Sequence, residues 1–475
     1  MRDNLERELK LVPPAGFRLP SGLGGVELPD RAFVSTYLDT KDLRLARSGV
    51  TFRHRIEDGA GMWQLKLPKG ASRVELEEHG PPGRAPASLV VLLTAYLRGE
   101  SLTRVARLKT WRKSIRTDGA EIVDDSVAIL DGQRITGRFR ELEVELLDGD
   151  ERTLRRLEKA LRQAGATVPV AFEPKLFRAL ELAHPVEPQE VAPDATPIEA
   201  VGVSLARQYR QLLVHDPGVR LGIDAEDVHQ MRVATRRARA FLRVARPFVD
   251  SDWAEGLRAE LGWLGSALGP VRDLDVLLEH LHEDLATLGE EDRLGDLVES
   301  LESELASARK EAIAALDDER YLRLLDRLEA ASEPPAAPDP STETLASVWS
   351  HELDRLRRTF ARLDGDSTDR ELHRARIRAK RARYAAELAV HELGDPGRRF
   401  VEAAKKLQDV LGEHQDACVA SERFRAWAAS AGEDGRAVKR LVAREKARRR
   451  RSRSAWPKAW KQVAREGRAA TRRKP

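Results

Sequence analysis

Apolar and charged residues alternate with a period of two along several short stretches in the first third of the chain. In Leu5-Glu6-Arg7-Glu8-Leu9-Lys10 a strand would carry Glu6, Glu8 and Lys10 on one face, because successive side chains point to opposite sides. Arg53 and Arg55 flank His54, Gln64 and Lys66 flank Leu65, and Arg73, Glu75 and Glu77 alternate with Val74 and Leu76. Glu141, Glu143 and Glu145 alternate with Leu142, Val144 and Leu146. Several strands thus share one ionisable face and one apolar face. The pattern predicts an antiparallel β-barrel with a charged lumen, its apolar faces packed outward against flanking helices. An open sheet with one wet face is the competing expectation. Helical composition at Pro86 to Arg98 and a helix from an Asp150 cap to about Gln163, stopped at Gly165, complete this region.

The period changes after a proline-rich stretch at 183–197. From Ile198 onward apolar positions follow helical spacing, broken mainly at Pro217-Gly218 and at Ser332 to Pro340. The helical part contains two copies of one pattern. The run His229-Gln230-Met231-Arg232 through Arg236-Arg237-Ala238-Arg239 resembles His373-Arg374-Ala375-Arg376 through Lys380-Arg381-Ala382-Arg383. Leu268-Gly269-Pro270-Val271-Arg272-Asp273 resembles Leu411-Gly412-Glu413-His414-Gln415-Asp416. The expected architecture is an α+β two-domain protein: a barrel over 1–182, then an all-α duplicated bundle over 198–435. The halves of the bundle fall at about 198–331 and 342–435, and a basic tail follows at 436–475.

Charge alters this picture more than size does. The 475 residues carry a formal net charge of only +4. Yet residues 183–434 hold 34 basic and 49 acidic groups, while 435–475 hold 17 basic and 2 acidic. Against that acidic background, His229, Arg232, Arg236, Arg239 and Arg243 step by three or four residues and so share a helix face. His373, Arg376, Lys380 and Arg383 repeat the stripe. Uncompensated like charges at this spacing repel, which favours an anion as partner over a solvated surface balanced by neighbouring helices. The tail, with Arg448-Arg449-Arg450-Arg451, is expected to act as a basic arm attracting polyanions non-specifically. One cysteine, Cys418, excludes an internal disulfide framework and fits a reducing cytoplasm. It is expected to be a small buried hydrophobe. No apolar run is long enough to span a bilayer, and the N-terminus lacks the pattern of a signal peptide.

Glu6-x-Glu8-x-Lys10, Tyr37-Leu38-Asp39-Thr40, Gly49 to Arg55, Trp63-Gln64-Leu65-Lys66, the Glu141-x-Glu143-x-Glu145 strand and Pro174-Lys175-Leu176-Phe177-Arg178 occur in that order. Residues 1–182 therefore resemble the CYTH family, the triphosphate tunnel metalloenzymes. Residues 198–435 resemble the CHAD domain, a helical module associated with inorganic polyphosphate. The resemblance implies metal-dependent hydrolysis of inorganic triphosphate or short polyphosphate, with Mg²⁺ or Mn²⁺ as cofactor. It implies Lys10, Arg53, Arg55, Lys66, Arg112 and Lys175 as catalytic grips on phosphate oxygens, with Arg73 and Arg178 assisting. Glu6, Glu8, Glu141, Glu143 and one of Asp124 and Asp125 become the metal ligands, since adjacent strand residues cannot both enter a lumen. Polyphosphate binding would fall to His229, Arg232, Arg236, Arg237, Arg239, Arg243, His373, Arg376, Lys380, Arg381 and Arg383, and polyphosphate granules become a possible destination. A non-catalytic polyphosphate scaffold and a nucleotide or thiamine triphosphate enzyme remain alternatives. The last lacks an aromatic cluster on lumen-facing positions.

Overall fold

The structure, a computed structural model, describes residues 2–472 except 7, 21–22, 71, 118, 170–173, 183–189, 290–293, 340 and 432–434. The side chains of 2–8, 72 and 431 lie outside this description, so the expected metal ligands Glu6 and Glu8 cannot be placed beyond their backbone pairing. The chain divides into two units, Met1–Glu187 and Pro188–Pro475.

The first unit is one antiparallel sheet. Its strands are β1 (Arg2–Glu6), β2 (Glu8–Leu11), β3 (Val26–Glu27), β4 (Arg31–Asp39), β5 (Thr51–Glu57), β6 (Ala60–Lys69), β7 (Ser72–His79), β8 (Thr103–Thr117), β9 (Ala120–Asp131) and β10 (Arg134–Leu146). The ladder runs β1-β7-β6-β5-β4-β8-β9-β10-β2, with β3 paired to β8. The expected closed barrel is corrected here. Among the described residues no ladder joins the two ends of the path; β1 pairs β7 and β2 pairs β10, and only residue 7 separates β1 from β2 along the chain. Alternation specifies which face is which, and it carries no information about closure.

The other faces of these strands are apolar and covered. Leu11, Ile122, Leu142 and Val144 pack with Leu157 and Leu161 of helix α4 (Glu151–Gln163), which follows the short helices α1 (Arg44–Arg47), α2 (Ala87–Val90) and α3 (Thr94–Leu97). Asp150 caps α4, its carboxylate accepting the N–H groups of Arg152 and Thr153. On the charged face itself, Leu108 and Val127, in line with Arg112 and Asp125, pack with Leu176 and Phe177 of α5 (Lys175–Leu180), and Leu108 and Leu176 line a cavity there. The Pro86–Arg98 segment forms α2, one 3-10 turn and α3 rather than a single helix.

The second unit is helical. Its first half comprises α6 (Pro197–Leu221), α7 (Ala225–Ala245), α8 (Ser251–Ala267), α9 (Gly269–Leu288), α10 (Gly295–Asp317) and α11 (Glu319–Ala330). The second comprises α12 (Leu345–Phe360), α13 (Asp369–Leu388), α14 (Val390–Ala431, kinked at Gly394) and α15 (Arg436–Thr471). Pro217 does not break α6. It lies just before the last turn, where buried Asp216 holds Arg220 at 2.7 Å, and the helix stops at left-handed Gly222. No helix among the described residues is long and apolar enough to cross a membrane.

The tail departs most from expectation. It is the helix α15, with Leu441, Val442, Trp456 and Val463 buried and Trp460 stacked on Phe360 at 4.2 Å. Arg444 and Arg448 reach fully buried Asp284 of α9 at 2.7 and 2.8 Å, and Arg449 and Arg453 hold Asp369. Much of its charge is therefore already paired within the bundle, which a free basic arm would not allow.

Candidate functional site

The sheet encloses a cavity of about 160 Å³ whose walls carry the charged rows of β2, β5, β6, β7, β8 and β10. Strand register brings the rows together. Asp125 on β9 stands opposite Arg112 on β8 and Glu141 on β10, and Glu143 stands opposite Lys10. On this wall acids and bases are interleaved. Arg112 forks onto Asp125 at 2.9 and 2.8 Å. Lys175, projecting from the start of α5, meets Glu141 at 2.6 Å, Asp125 at 2.9 Å and Glu143 at 3.1 Å. Lys10 meets Glu143 at 2.6 Å, and Arg178 lies 3.5 Å from Glu141.

The choice between the two aspartates is decided by pleat. Asp125 enters the lumen completely buried, whereas Asp124 faces away and pairs with Arg140 at 2.5 Å. Asp124 is thus removed from the candidate metal ligands. Asp125, Glu141 and Glu143 bring carboxylate oxygens within 4.8 Å of one another. That all-oxygen set fits a hard divalent cation such as Mg²⁺ or Mn²⁺.

The facing wall is richer in cations. Arg53 donates to Gln64 at 2.8 Å and to the Tyr37 hydroxyl at 3.0 Å, and Lys66 lies 3.3 Å from Glu75. Arg55 lies over the Phe33 ring at 4.1 Å, and Arg73 also lines the cavity. Between these rows the apolar side chains point outward, as the stacking of Phe52 on Trp63 at 5.3 Å illustrates.

Electrostatics distinguish the two walls. Burial opposes ionisation of Glu143, yet Lys10, Lys175 and Arg112 hold its carboxyl well below the usual range. Burial likewise opposes the charge on Lys175, but Glu143, Glu141 and Asp125 raise it well above an ordinary lysine. Asp125 is lowered because Lys175 and Arg112 outweigh its burial. On the other wall burial, then Arg53 and Arg112, pull the Arg55 guanidinium down to about 9. Arg55 is a desolvated cation short of negative charge.

The helical unit has a second concentration of cations where α7 and α13 meet. Arg236 donates to the Tyr384 hydroxyl at 2.8 Å. Arg232 lies against Gly269, where a Cβ would come within 3.0 Å of its guanidinium, and reaches Asp273 at 3.4 Å. Arg376 lies beside Gly412, the equivalent glycine in the second half. Burial, then Arg376 and Arg236, pull Lys380 down to about 7. Arg232 and Arg376 are lowered chiefly by burial, as is His229, with Arg272 adding to its shift. His373 contacts Gln415 at 2.8 Å.

The remaining sequence candidates diverge from this cluster. Arg237 and Arg383 both pair with Glu387, at 3.2 and 3.0 Å, and Arg239 lies along α8 at Gly262. Arg243 and Arg381 lie near one another, lowered by burial first. Arg237 and Arg381 sit about 100° around their helices from the preceding cation, so a doubled Arg-Arg run cannot put both members on one face. Sequence reasoning gave no site role to Tyr37, Arg272 and Tyr384, and placed Gln64 on the ionisable face without a role. Tyr37 shares the strand face of Phe33 and Ser35, which could have signalled it. Its motif neighbour Asp39 is structural, accepting the N–H groups of Thr40, Leu45 and Ala46. Cys418 is half-buried, and burial raises its thiol to about 11, well outside nucleophile range.

Comparison with known proteins agrees with this division. Residues 4–168 match the CYTH domain and residues 203–425 match the CHAD domain. Two uncharacterized proteins of Mycobacterium tuberculosis, Rv2226 and MT2285, are each 32% identical over 453 residues, covering 86% of this chain and 85% of theirs. Among solved structures, the CHAD domain from the plant Ricinus communis is 27% identical with a TM-score of 0.46, covering 60% of this chain and 95% of that one. A putative adenylyl cyclase from Hippeastrum, HpAC1, described as having a dominant triphosphatase activity, is 20% identical with a TM-score of 0.26. It covers 38% of this chain and 99% of its own.

Proposed function

Because the chain belongs to the family that joins a CYTH domain to a CHAD domain, we propose that it hydrolyses inorganic triphosphate or short polyphosphate and binds polyphosphate through its helical unit. CYTH domains are triphosphate tunnel metalloenzymes, hydrolases or cyclases. The observation that carries the hydrolytic reading is the two-walled cavity, with a buried carboxylate triad on one side and a cluster of cations, Arg55 desolvated among them, on the other. A lumen that only held the sheet together would need neither, since buried ion pairs stabilise poorly against their desolvation cost.

In this reading Arg53, Arg55, Lys66 and Arg73 grip phosphate oxygens from one wall, Arg forking onto two oxygens and Lys acting as a point charge. Lys10, Arg112 and Lys175 bridge from the other wall, each already aligned by its carboxylate. Asp125, Glu141 and Glu143, with Glu6 and Glu8, would hold Mg²⁺ or Mn²⁺, which supplies charge neutralisation and acidifies a water. The enclosing side chains fix the chain of phosphates for in-line attack. The helical unit, over about 198–435, concentrates polyphosphate in the cytoplasm or at granules. Phosphate release from tripolyphosphate, long-chain polyphosphate, ATP and thiamine triphosphate with either cation tests the reading. Turnover of ATP or thiamine triphosphate in preference to tripolyphosphate would refute it.

A further inference from the structure

A cavity of about 380 Å³ opens where α6 and α7 of the first helical half meet α13 and α14 of the second. It is separate from the Arg232–Lys380 cluster and has a different character. Arg207, Arg237 and Arg398 reach it from three different helices, while Phe241, Leu388 and Val401 supply an apolar wall. His391 also lines it. Its side chain is only 3% exposed, and neither ring nitrogen has a hydrogen-bond partner; Glu392 lies 3.7 Å from Nε2. The Nε of Arg237 lies 3.2 Å from the Glu387 carboxylate, an ion pair without hydrogen-bond geometry.

A buried imidazole with both nitrogens unsatisfied loses hydration without compensation, at a cost of about 1–3 kcal/mol per group. Such groups in a native protein need an explanation, and a bound partner is one. Cavities of roughly 300–1,000 Å³ that combine an apolar wall with a few convergent polar groups are the usual form of a small-molecule site. Guanidiniums arriving from three helices suit a phosphoryl group. The apolar wall gives an inorganic phosphate nothing to contact but suits an organic substituent.

We propose that this cavity binds a small organic phosphomonoester, its phosphoryl group among Arg207, Arg237 and Arg398 and its organic part against Phe241, Leu388 and Val401. His391 supplies the remaining polar contact. Because the ligand touches helices of both halves, binding also staples them together and raises the melting temperature of the helical unit. The site does not depend on catalysis in the sheet.

Calorimetric titration of the full chain with AMP, glucose 6-phosphate and glycerol 3-phosphate, each beside its dephosphorylated form and beside orthophosphate, tests the proposal. At least one ester should bind about tenfold or more tightly than orthophosphate and its own dephosphorylated form. Arg398→Glu, at a largely exposed position, and separately Arg207→Glu should each weaken that binding about tenfold, with polyphosphate affinity kept within about twofold. The proposal is overturned if no ester binds, if orthophosphate binds as well as the esters, or if neither substitution matters. It is equally overturned if Arg232→Ala with Arg236→Ala abolishes ester binding instead, since the ligand would then sit on the basic stripe.

Discussion

The two cation-rich regions use the same residue types to opposite electrostatic ends. In the sheet unit Lys175 and Arg112 are buried against carboxylates, and their charge is reinforced beyond that of the free side chains. Where α7 meets α13, Arg232, Arg376 and Lys380 are buried around Arg236, and burial first, with neighbouring cations adding to it, weakens their charge more than Asp273 and Asp416 restore it. The first arrangement is neutral before any ligand arrives and so fixes geometry. The second stores repulsion that an arriving anion relieves. A catalytic site needs the former, because groups must be aligned before the reaction begins. A surface that gathers a polymer needs only the latter.

The contrast breaks first at Glu143. Glu143→Gln should lower metal-dependent tripolyphosphate hydrolysis about a thousandfold and destabilise the protein by about 3–5 kcal/mol, as expected for a broken buried pair. Phosphate release and denaturant unfolding measure the two effects. Wild-type turnover would remove this carboxylate from the site. The stripe should answer differently. Neutralising Arg232, Arg236 and Arg376 together should cost about a hundredfold in polyphosphate affinity and reduce its salt slope, while stability stays within about 1 kcal/mol of the parent. Loss of stability without loss of binding would show that these arginines hold the bundle together.

Lys380 sharpens the comparison further. With its pKa near 7, the ammonium is charged below neutrality and neutral above it, and a polyanion binds the charged form. Polyphosphate affinity should therefore fall as pH rises through about 7, by at most about tenfold per unit for one proton. Lys380→Arg should flatten the profile. A pH-independent parent would mean that the lysine is charged throughout. The smallest effect belongs to the tail: Arg450→Ala with Arg451→Ala, both exposed, should shift affinity by less than about threefold at physiological salt. A larger shift would make α15 part of the binding surface.

Much of the cavity is legible from alternation alone, because a period of two fixes which side chains share a face. Lys10, Arg53, Lys66, Glu141 and Glu143 are found that way. Asp124 and Asp125 are not separable without register, since the choice depends on pairing Asp125 with Arg112 and Glu141 on neighbouring strands. The tail misleads for a different reason. Its partners Asp284 and Asp369 lie far back in sequence, and the arginine run masks the helical spacing of Leu441, Trp456 and Val463. Arg237 shows the same limit: Glu387, which binds it, is on another helix of the other half.

The pairing of β1 and β2 with strands far along the chain has a consequence for the order in which the protein can be made. β1 and β2 are synthesised before their partners: β1 must wait for β7 and β2 for β10, whose last residue is Leu146. During synthesis at about 5–20 residues per second, the opening strand spends several seconds without either neighbour. Its alternating charges suit that interval, since an unpaired edge bearing Glu6, Glu8 and Lys10 resists pairing with other nascent chains. Carboxylates proposed as metal ligands in the finished protein would thus guard the growing one.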